Sequence, residues 1–381
     1  MRRESVVTLG VVWLAASFAA RPLSGQGTLS TQGFGYPAGG LSSRVIAGGA
    51  GFAEFDAMST RNPASLLGWG RSGLYAQYEP EFRTVSRGSQ GDNTVTARFP
   101  LIAAAFPVGS RMIIGASATT LLDRTWETVV RSGQRLGPDS VGFTEDVQST
   151  GGIADLRLAA AYAFSEKFAI GVGAHALGGE NRLKLTRTFD DTSKFGTVRR
   201  SLVIGFQGGA ISGGAVWRPV RAFAVAASIG QGGSLSMEEG DTLLAKGHAP
   251  NRYGAGLRFD GIDGVSLSAS YEHTAWSRLG QLGSTTLGVR DGDDIGVGAD
   301  LSGPRMRGVP MTVHLGVRQR DLPFTADGNT VTEWQYAGGM TLPFGGPRAA
   351  FDVGLVRATR GQAAGVSERA WIVTAGVTVR P

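Results

Sequence analysis

Near its carboxyl end the chain runs AWIVTAGVTVR, from Ala370 to Arg380, and this stretch decides the fold. Its residues fall into two sets that alternate along the chain. One set is Trp371, Val373, Ala375, Val377 and Val379, and the other is Thr374, Gly376, Thr378 and Arg380. Alternation with a period of two is the pattern of a β-strand that has one apolar face and one small or polar face. A soluble sandwich turns the apolar face inward and a membrane barrel turns it towards lipid, so this stretch leaves both folds open.

The same alternation recurs along the rest of the chain. It is clearest in Arg252–Asp260, Val265–Thr274 and Met311–Arg320. Counting every such segment predicts fourteen strands, at about 72–86, 93–106, 111–124, 150–164, 168–186, 200–217, 222–235, 251–260, 264–276, 294–301, 310–320, 331–342, 348–357 and 368–380. No segment of the mature chain reaches about eighteen consecutive apolar residues, which excludes a membrane-spanning helix.

The links between these strands decide between the two folds. Short links, at 107–110, 165–167, 218–221, 261–263, 302–309 and 343–347, alternate with longer ones that include 125–149, 236–250 and 277–293. Barrels of the outer membrane have tight periplasmic turns and longer outward loops, and a sandwich has no reason to keep this asymmetry. The predicted fold class is therefore all-β. Residues 72–381 are expected to form a transmembrane antiparallel β-barrel of about 14 strands in the outer membrane, with both mature termini in the periplasm.

The amino-terminal residues predict export. Arg2 and Arg3 precede the apolar stretch from Val6 to Ala20, which is the pattern of a secretory signal peptide. We assign residues 1–25 to this signal, with cleavage after Ala19, Ala20 or Gly25. The chain has no cysteine, which excludes disulfides, thiolate metal ligands, a cysteine nucleophile and a lipoprotein anchor.

Composition excludes further classes of function. The formal charge is +6, but the basic residues are scattered among turns, loops and strand ends, so no nucleic-acid partner is predicted. The 59 glycines have no collagen period, and they suit tight turns and a crowded barrel wall. Tryptophans at the outward ends of the strands predict an interfacial girdle, formed by Trp126, Trp276, Trp334 and Trp371.

Residues 26–71 do not alternate, and we predict that they form a hatch inside the lumen. The residues expected to seat and gate it are Gly48, Gly49, Gly51, Arg61, Asn62, Pro63, Ala64 and Leu66. Asn62 can cap a short helical turn, Pro63 suits its first position, and Gly68 can end it. The upstream glycines let the backbone pass close to a wall.

The stretch Ser43 to Leu66, with its glycines, acidic residues and Asn-Pro-Ala, resembles the FadL-type long-chain fatty-acid transporters of outer membranes. The turn from Phe106 to Gly109 and the closing strands after Thr332 are also similar to that family. The resemblance implies fourteen strands, a luminal hatch and passive uptake of hydrophobic molecules, captured by the outer loops and released past the hatch, with a sideways exit through the wall as one route. Lipid and lipopolysaccharide of the outer membrane are expected around the barrel.

Two other functions stay open. Type IX secretion components share the barrel and a related hatch, so a barrel that binds protein partners at its rim is the first alternative. A barrel lipase that uses His273 and Ser277 is the second. No catalytic residue, metal site or cofactor is predicted, because the four histidines, at 175, 248, 273 and 314, lack ligand spacing and no nucleotide-binding motif occurs.

Overall fold

The computed structural model describes residues 35–87, 90–136, 139–282, 289–306, 308–326, 329–344, 348–363 and 366–380. The predicted signal peptide, the first residues of the predicted hatch segment and Pro381 lie outside this range. Within these ranges three helical elements occur, namely the α-helix α1 (Ser43–Ala47) and the 3-10 helices η1 (Pro63–Trp69) and η2 (Trp276–Leu282). Within the described residues, no helix has the length and apolarity that crossing a bilayer requires.

Seventeen strands make up the rest of the fold. They are β1 (Gly73–Arg87), β2 (Gln90–Arg98), β3 (Leu101–Val108), β4 (Met112–Asp123), β5 (Trp126–Leu136), β6 (Asp139–Ser165), β7 (Phe168–Phe189), β8 (Val198–Val220), β9 (Phe223–Glu239), β10 (Thr242–His248), β11 (Arg252–Ile262), β12 (Val265–Thr274), β13 (Gly292–Met306), β14 (Val309–Ala326), β15 (Asn329–Phe344), β16 (Ala349–Ala363) and β17 (Val366–Val379).

The strands close into an antiparallel barrel because β17 pairs with β1, from Leu74 opposite Val379 to Arg87 opposite Val366. Three barrel strands are each divided into two elements. β2 and β3 both pair with β1, β4 and β5 both pair with β6, and β10 and β11 both pair with β9. The seventeen elements therefore form fourteen barrel strands, which confirms the predicted transmembrane barrel and its strand number.

The two faces of the wall follow the alternation in the sequence. On β1, Leu74 is 59% exposed and Phe82 is 48% exposed, whereas Tyr75 and Glu81 are buried inside the lumen. Across the sheet the large exposed side chains are leucine, valine, isoleucine and aromatic residues, whereas the inward face also carries buried polar and charged residues. An apolar outer face around a closed hydrogen-bonded wall is the arrangement that a bilayer requires.

The four tryptophans of the predicted girdle do not share one position. Trp334 and Trp371 are exposed on the outer face, as a girdle requires. Trp276 departs from the expectation, because η2 folds into the lumen and leaves it only 7% exposed. Trp126 is partly buried at the start of β5. A girdle that contains Trp334 and Trp371 stays a prediction. A further tryptophan, Trp217, is exposed at the other end of the barrel, next to the short turns.

Two of the predicted long links are mostly strand. Residues 125–149 form β5 and the first part of β6, and residues 236–250 contain the end of β9 and all of β10. These strands extend because each link folds into a hairpin of its own, in which β5 pairs with β6 and β9 pairs with β10. The third long link, 277–293, contains most of η2, which enters the barrel.

Candidate functional site

The inward face of β1 changes character along the strand, and it divides the lumen into three tiers. From the end with the short turns outwards, Tyr75 contacts the amino-terminal segment, Glu81 forms ion pairs and Val85 joins an apolar cluster. We name these levels the hatch tier, the charged tier and the apolar tier. On β14, four strands from β1 around the wall, Arg320 lies in the charged tier and Phe324 in the apolar tier, so the same order holds there.

Residues 35–71 form the described part of the hatch. Ser42 caps α1 by accepting a hydrogen bond from the backbone N–H of Val45 at 3.4 Å. The backbone N–H of Ser43 donates to the Tyr75 hydroxyl at 2.8 Å, and Arg44 donates to Asp300 of the wall at 2.5 Å. The apolar side of this segment packs on β16 and β17 in a cluster formed by Leu41, Val45, Ile46, Ala50, Phe52, Ala53, Val356, Ala358, Ala370 and Ile372.

The backbone of the hatch lies against glycines of the wall. A Cβ atom on Gly316 would lie 2.3 Å from the carbonyl carbon of Gly48, and one on Gly171 would lie 2.4 Å from the nitrogen of Ala64. Other inward glycines that leave this space are Gly115, Gly214, Gly254, Gly256, Gly296, Gly298, Gly339, Gly354 and Gly376. The hatch therefore fits only because the wall has no side chains at these positions.

Asn62 joins the second hatch helix to the wall. Its Oδ1 accepts from the N–H of Ala64 at 2.9 Å, and its Nδ2 donates to the carbonyls of Ala215 and Ala227 at 3.2 and 3.4 Å. Pro63 is the first residue of η1, as predicted. The helix ends at Gly70, which has a left-handed conformation, so the prediction that Gly68 ends it is wrong.

The remaining predicted hatch residues also contact the wall. Gly48 caps the carboxyl end of α1, and Gly49 and Gly51 pass against the backbones of β14 and β13. Leu66 is buried at Gly115, in a cluster with the side chains of η1 and the inward alanines of β3 and β6. The structure therefore places all eight predicted residues at the seat of the hatch, and their role in gating stays a prediction.

Charged residues hold the outer side of the hatch. Arg61 pairs with Glu272 and lies 3.3 Å from Asp294. Burial lowers the pKa of the Arg61 guanidinium to about 10, so it is charged at neutral pH. Glu54 accepts a hydrogen bond from Ser228 at 3.0 Å, and burial raises the pKa of its carboxyl group. These contacts fix the hatch by charge as well as by shape.

The wall glycines that contact the hatch backbone, which we name the glycine seat, give a direct prediction. Gly316→Ala is expected to push the hatch off the wall, because overpacking of this kind costs about 1–3 kcal/mol. Gly338→Ala is the matched control, since a Cβ atom there would make ordinary contacts, with the Leu315 side chain at 3.5 Å and the His314 carbonyl oxygen at 3.9 Å. Limited proteolysis of the folded protein in detergent should cleave the hatch faster in Gly316→Ala alone. Equal cleavage in both variants would mean that the seat tolerates a methyl group.

Arg360 is the centre of the charged tier. It is buried on β16, and it donates to Glu81 at 2.9 Å, to Glu333 at 2.5 Å and to Glu368. Arg83 and Arg98 also pair with Glu81, and Arg320 also pairs with Glu333. This cluster joins six neighbouring strands of the wall, β14, β15, β16, β17, β1 and β2. Such a layer of buried charge opposes the passage of an apolar molecule straight down the barrel.

The apolar tier lies outside the charged tier. It contains Val85, Leu122, Ile153, Leu177, Ile204, Phe206, Leu235, Ala249, Trp276, Leu279, Leu282, Leu322, Phe324, Val331 and Val366, together with Tyr36 at its inner boundary. Three of these residues belong to η2, which packs against β10 and adds its buried side chains to the cluster. An outer lumen lined by apolar side chains differs from the polar interior of a porin.

The cavities next to these tiers are small. One of about 50 Å³ lies beside Arg61, Thr119 and Arg318, and one of about 20 Å³ lies beside Leu177 and Arg252. A buried water needs about 10–15 Å³ by the same kind of measure, so these spaces hold a few waters at most. An organic molecule would enter the apolar tier only if its side chains moved apart.

The wall is interrupted on one side. The second barrel strand, formed by β2 and β3, pairs with the third, formed by β4 and β5, only through β3 and β4. The last hydrogen bond between them, from the N–H of Thr120 to the carbonyl of Pro100, is 3.3 Å long. Beyond it, in the strand pairings of the described residues, β2 pairs only with β1 and β5 pairs only with β6. Val95 and Phe99, 67% and 70% exposed on the outer face, lie on the β2 edge of this separation. We name the separation between β2 and β5 the slit.

No family model and no curated protein matches the sequence, but solved structures match the fold. The toluene transporter TbuX of Ralstonia pickettii is 16% identical over 90% of this chain and 98% of its own, with a TM-score of 0.55. The toluene transporter TodX of Pseudomonas putida is 12% identical over 89% of this chain and 97% of its own, with a TM-score of 0.54. The monoaromatic hydrocarbon channel CymD is 14% identical over 90% of this chain and 98% of its own, with a TM-score of 0.53. The chain has the FadL-type fold. At these identities the likeness concerns the fold, and it confirms the resemblance drawn from the sequence at that level.

Within this FadL-type fold, two buried histidines join a carboxylate to a hydroxyl group. His175 lies between Asp155 and Ser212, at 2.9 Å from each, and His314 lies between Asp300 and Thr341, at 2.6 and 2.8 Å. Asp300 also accepts the hydrogen bond from Arg44 of the hatch. The arrangement occurs twice, and in the second case the aspartate also binds the hatch. We therefore assign both histidines a structural role in the wall.

The residues of the lipase alternative do not form a catalytic pair in the described part of the chain. His273 bonds to Asp293 at 2.8 Å near the outer surface, whereas the backbone N–H of Ser277 donates to Asp291. The described residues also contain no cluster of three or more metal-ligating side chains.

Sequence reasoning missed the charged tier and Tyr36. The signal was present in β1, where Gln77, Glu79, Glu81 and Arg83 alternate with exposed residues. Consecutive inward charges in a membrane strand must find partners across the lumen, so they predict an internal network. Nothing in the local pattern identified Tyr36, because it lies in an irregular segment far from its partners in sequence.

Proposed function

We propose that the chain is an outer-membrane channel for passive uptake of hydrophobic small molecules, such as long-chain fatty acids. The observation that carries the proposal is the apolar tier, because a channel for hydrophilic solutes would present polar side chains there. Captured molecules would occupy this tier, and η2 would move to admit them. The short turns would face the periplasm, as expected for this class of barrel.

The charged tier and the hatch oppose a straight path through the lumen, so we propose that substrates leave through the slit. The slit begins just outside the hatch tier, and the apolar residues Leu121 and Leu122 lie on its luminal side. Val95 and Phe99 present apolar surface towards lipid on its outer side. A hydrophobic molecule that passes sideways avoids the cost of crossing buried ion pairs.

A rim-binding barrel of a secretion system is the second candidate. The observation in its favour is the tight packing beside the hatch, where two cavities measure about 50 and 20 Å³. Transport of purified protein distinguishes the two candidates, since a scaffold needs a protein partner and a channel does not.

The test uses protein reconstituted in vesicles with a fluorescent long-chain fatty acid as the probe. We expect uptake above that of empty vesicles and no matching flux of a sugar. Leu235→Asn places an amide in the apolar tier, at a cost of about 1–3 kcal/mol. We expect uptake to fall about tenfold, which corresponds to 1.4 kcal/mol. Leu243→Asn, at a position that is 53% exposed, should behave as wild type. Uptake equal to empty vesicles would refute the channel.

A further inference from the structure

Tyr36 occupies a cage of arginines in the charged tier. The guanidinium carbons of Arg320, Arg98, Arg360 and Arg83 lie 4.6, 4.8, 4.9 and 5.9 Å from the centre of its ring. A guanidinium within about 6 Å of a ring centre attracts it electrostatically, and the attraction is strongest where water is excluded. The ring is 3% exposed. Four such contacts converge on this one side chain.

The hydroxyl group of Tyr36 is bound as well. It donates to Glu333, whose two oxygens lie 3.3 and 3.2 Å away, and it accepts hydrogen bonds from Arg320 and Arg360. Burial raises the pKa of the phenol, so the hydroxyl keeps the proton that it donates. The cage is therefore complementary to a whole phenol, both its ring and its polar end.

The backbone of Tyr36 lies at the slit. Its N–H donates to the carbonyl of Asp123 at 2.7 Å, and the N–H of Asp123 donates to its carbonyl at 2.8 Å. Asp123 is the last residue of β4, at the level where that strand no longer pairs with barrel strand two. The hatch thus supplies to β4 the backbone partner that the wall does not.

A side-chain contact crosses the slit at the same place. Arg98 is the last residue of β2, and its Nε donates to Asp123 at 2.6 Å. The same guanidinium lies against the Tyr36 ring and pairs with Glu81. Tyr36 therefore contacts both sides of the wall at the base of the slit, the end of β4 through its backbone and the end of β2 through Arg98.

We propose that Tyr36 is a latch that holds the slit closed. With the ring in the cage, the two edges are joined from the luminal side. When the ring leaves, the Asp123 backbone loses its partner and Arg98 loses one face of its packing, so the edges separate. The proposal deepens the proposed function, because it assigns control of the sideways exit to one side chain. The movement of the slit itself is independent of whether any substrate is transported.

The test measures the width of the slit directly. The chain has no cysteine, so Val95→Cys and Val129→Cys add two unique sites for spin labels, on exposed positions of β2 and β5. Distances between the labels are compared in Tyr36→Phe, Tyr36→Ala and the parent protein, all folded in lipid. Arg44→Gln is the control for general loosening, because it removes a hatch contact on the opposite wall and leaves Tyr36 in place.

We expect a single short distance in the parent, in Tyr36→Phe and in Arg44→Gln. Tyr36→Ala should add a longer distance, with the ratio of open to closed forms raised at least about tenfold, equivalent to about 1.4 kcal/mol. Uptake of the fluorescent fatty acid should rise in the same variant. An unchanged distance in Tyr36→Ala, or an equal change in Arg44→Gln, would overturn the latch. Failure of the channel proposal is recognised separately, by the absence of uptake in wild type.

Discussion

Arg360→Met is expected to destabilise the barrel by about 3–5 kcal/mol, because it removes one partner from a buried set of charges. Glu81 and Glu333 keep their other arginines, but Glu368 loses the group that bonds to it directly and keeps only Arg83 at 3.8 Å. An unpaired carboxylate in a closed lumen can neither move to water nor find another donor. Unfolding in urea from lipid vesicles, followed by the loss of gel mobility of the folded form, measures the difference.

The control lies on the same strand. Arg357 faces outwards and stacks on Trp371, with its guanidinium carbon 4.9 Å from the ring centre. Arg357→Met should cost only about 0.5–1 kcal/mol, the value of an exposed cation–ring contact. Combining Arg360→Met with Glu368→Gln should restore part of the loss, since the second change removes the stranded charge. Equal losses in Arg357→Met and Arg360→Met would show that the charged tier does not stabilise the fold.

The barrel was predictable because lipid acts on every strand in the same way. Each spanning strand must present an apolar face, so the period-two pattern repeats and can be counted, as in Ala370 to Arg380. Strand ends outside the membrane carry no such constraint. Residues 125–149 look like a loop because Arg131, Glu145 and Asp146 interrupt the pattern, yet the two halves of this segment pair with each other as a hairpin. Hydrogen bonding, which depends little on side-chain type, determined the structure there.

The hatch was predictable only where it has local signals. Asn62 and Pro63 cap a helix through contacts within three residues, and a sequence shows such contacts directly. The end of the same helix was missed, because Gly68 and Gly70 are both suitable and only the left-handed conformation of Gly70 distinguishes them. Tyr36 was missed for a different reason. Its four arginines lie on β1, β2, β14 and β16, and only the closed barrel brings those strands to one point.

Asn62→Ala combined with Pro63→Gly is expected to unseat the second hatch helix without unfolding the wall. The alanine removes the helix cap, which costs about 0.5–2 kcal/mol. The glycine raises the conformational entropy of the unseated chain, which favours the unseated state by about 0.4–1 kcal/mol. The lost bonds to Ala215 and Ala227 contribute about 0.5–1.5 kcal/mol each. The total of about 2–6 kcal/mol raises the unseated fraction at least about thirtyfold. The barrel keeps its own closed ladder of hydrogen bonds, so its folded gel mobility should not change.

The measurement is the leak of a small sugar from vesicles that contain equal amounts of folded protein. A hatch that leaves its seat exposes the glycine-lined wall, so leak should rise in the double variant and not in Ser65→Ala. Ser65 is the matched control because its hydroxyl bonds only to carbonyls within the hatch, those of Asp56 and Asn62. Asn62, by contrast, is the residue that joins the cap of η1 to the wall, and its two roles are lost together. If leak stays at the wild-type level in the double variant, the motif is a turn that shapes the hatch and does not gate it.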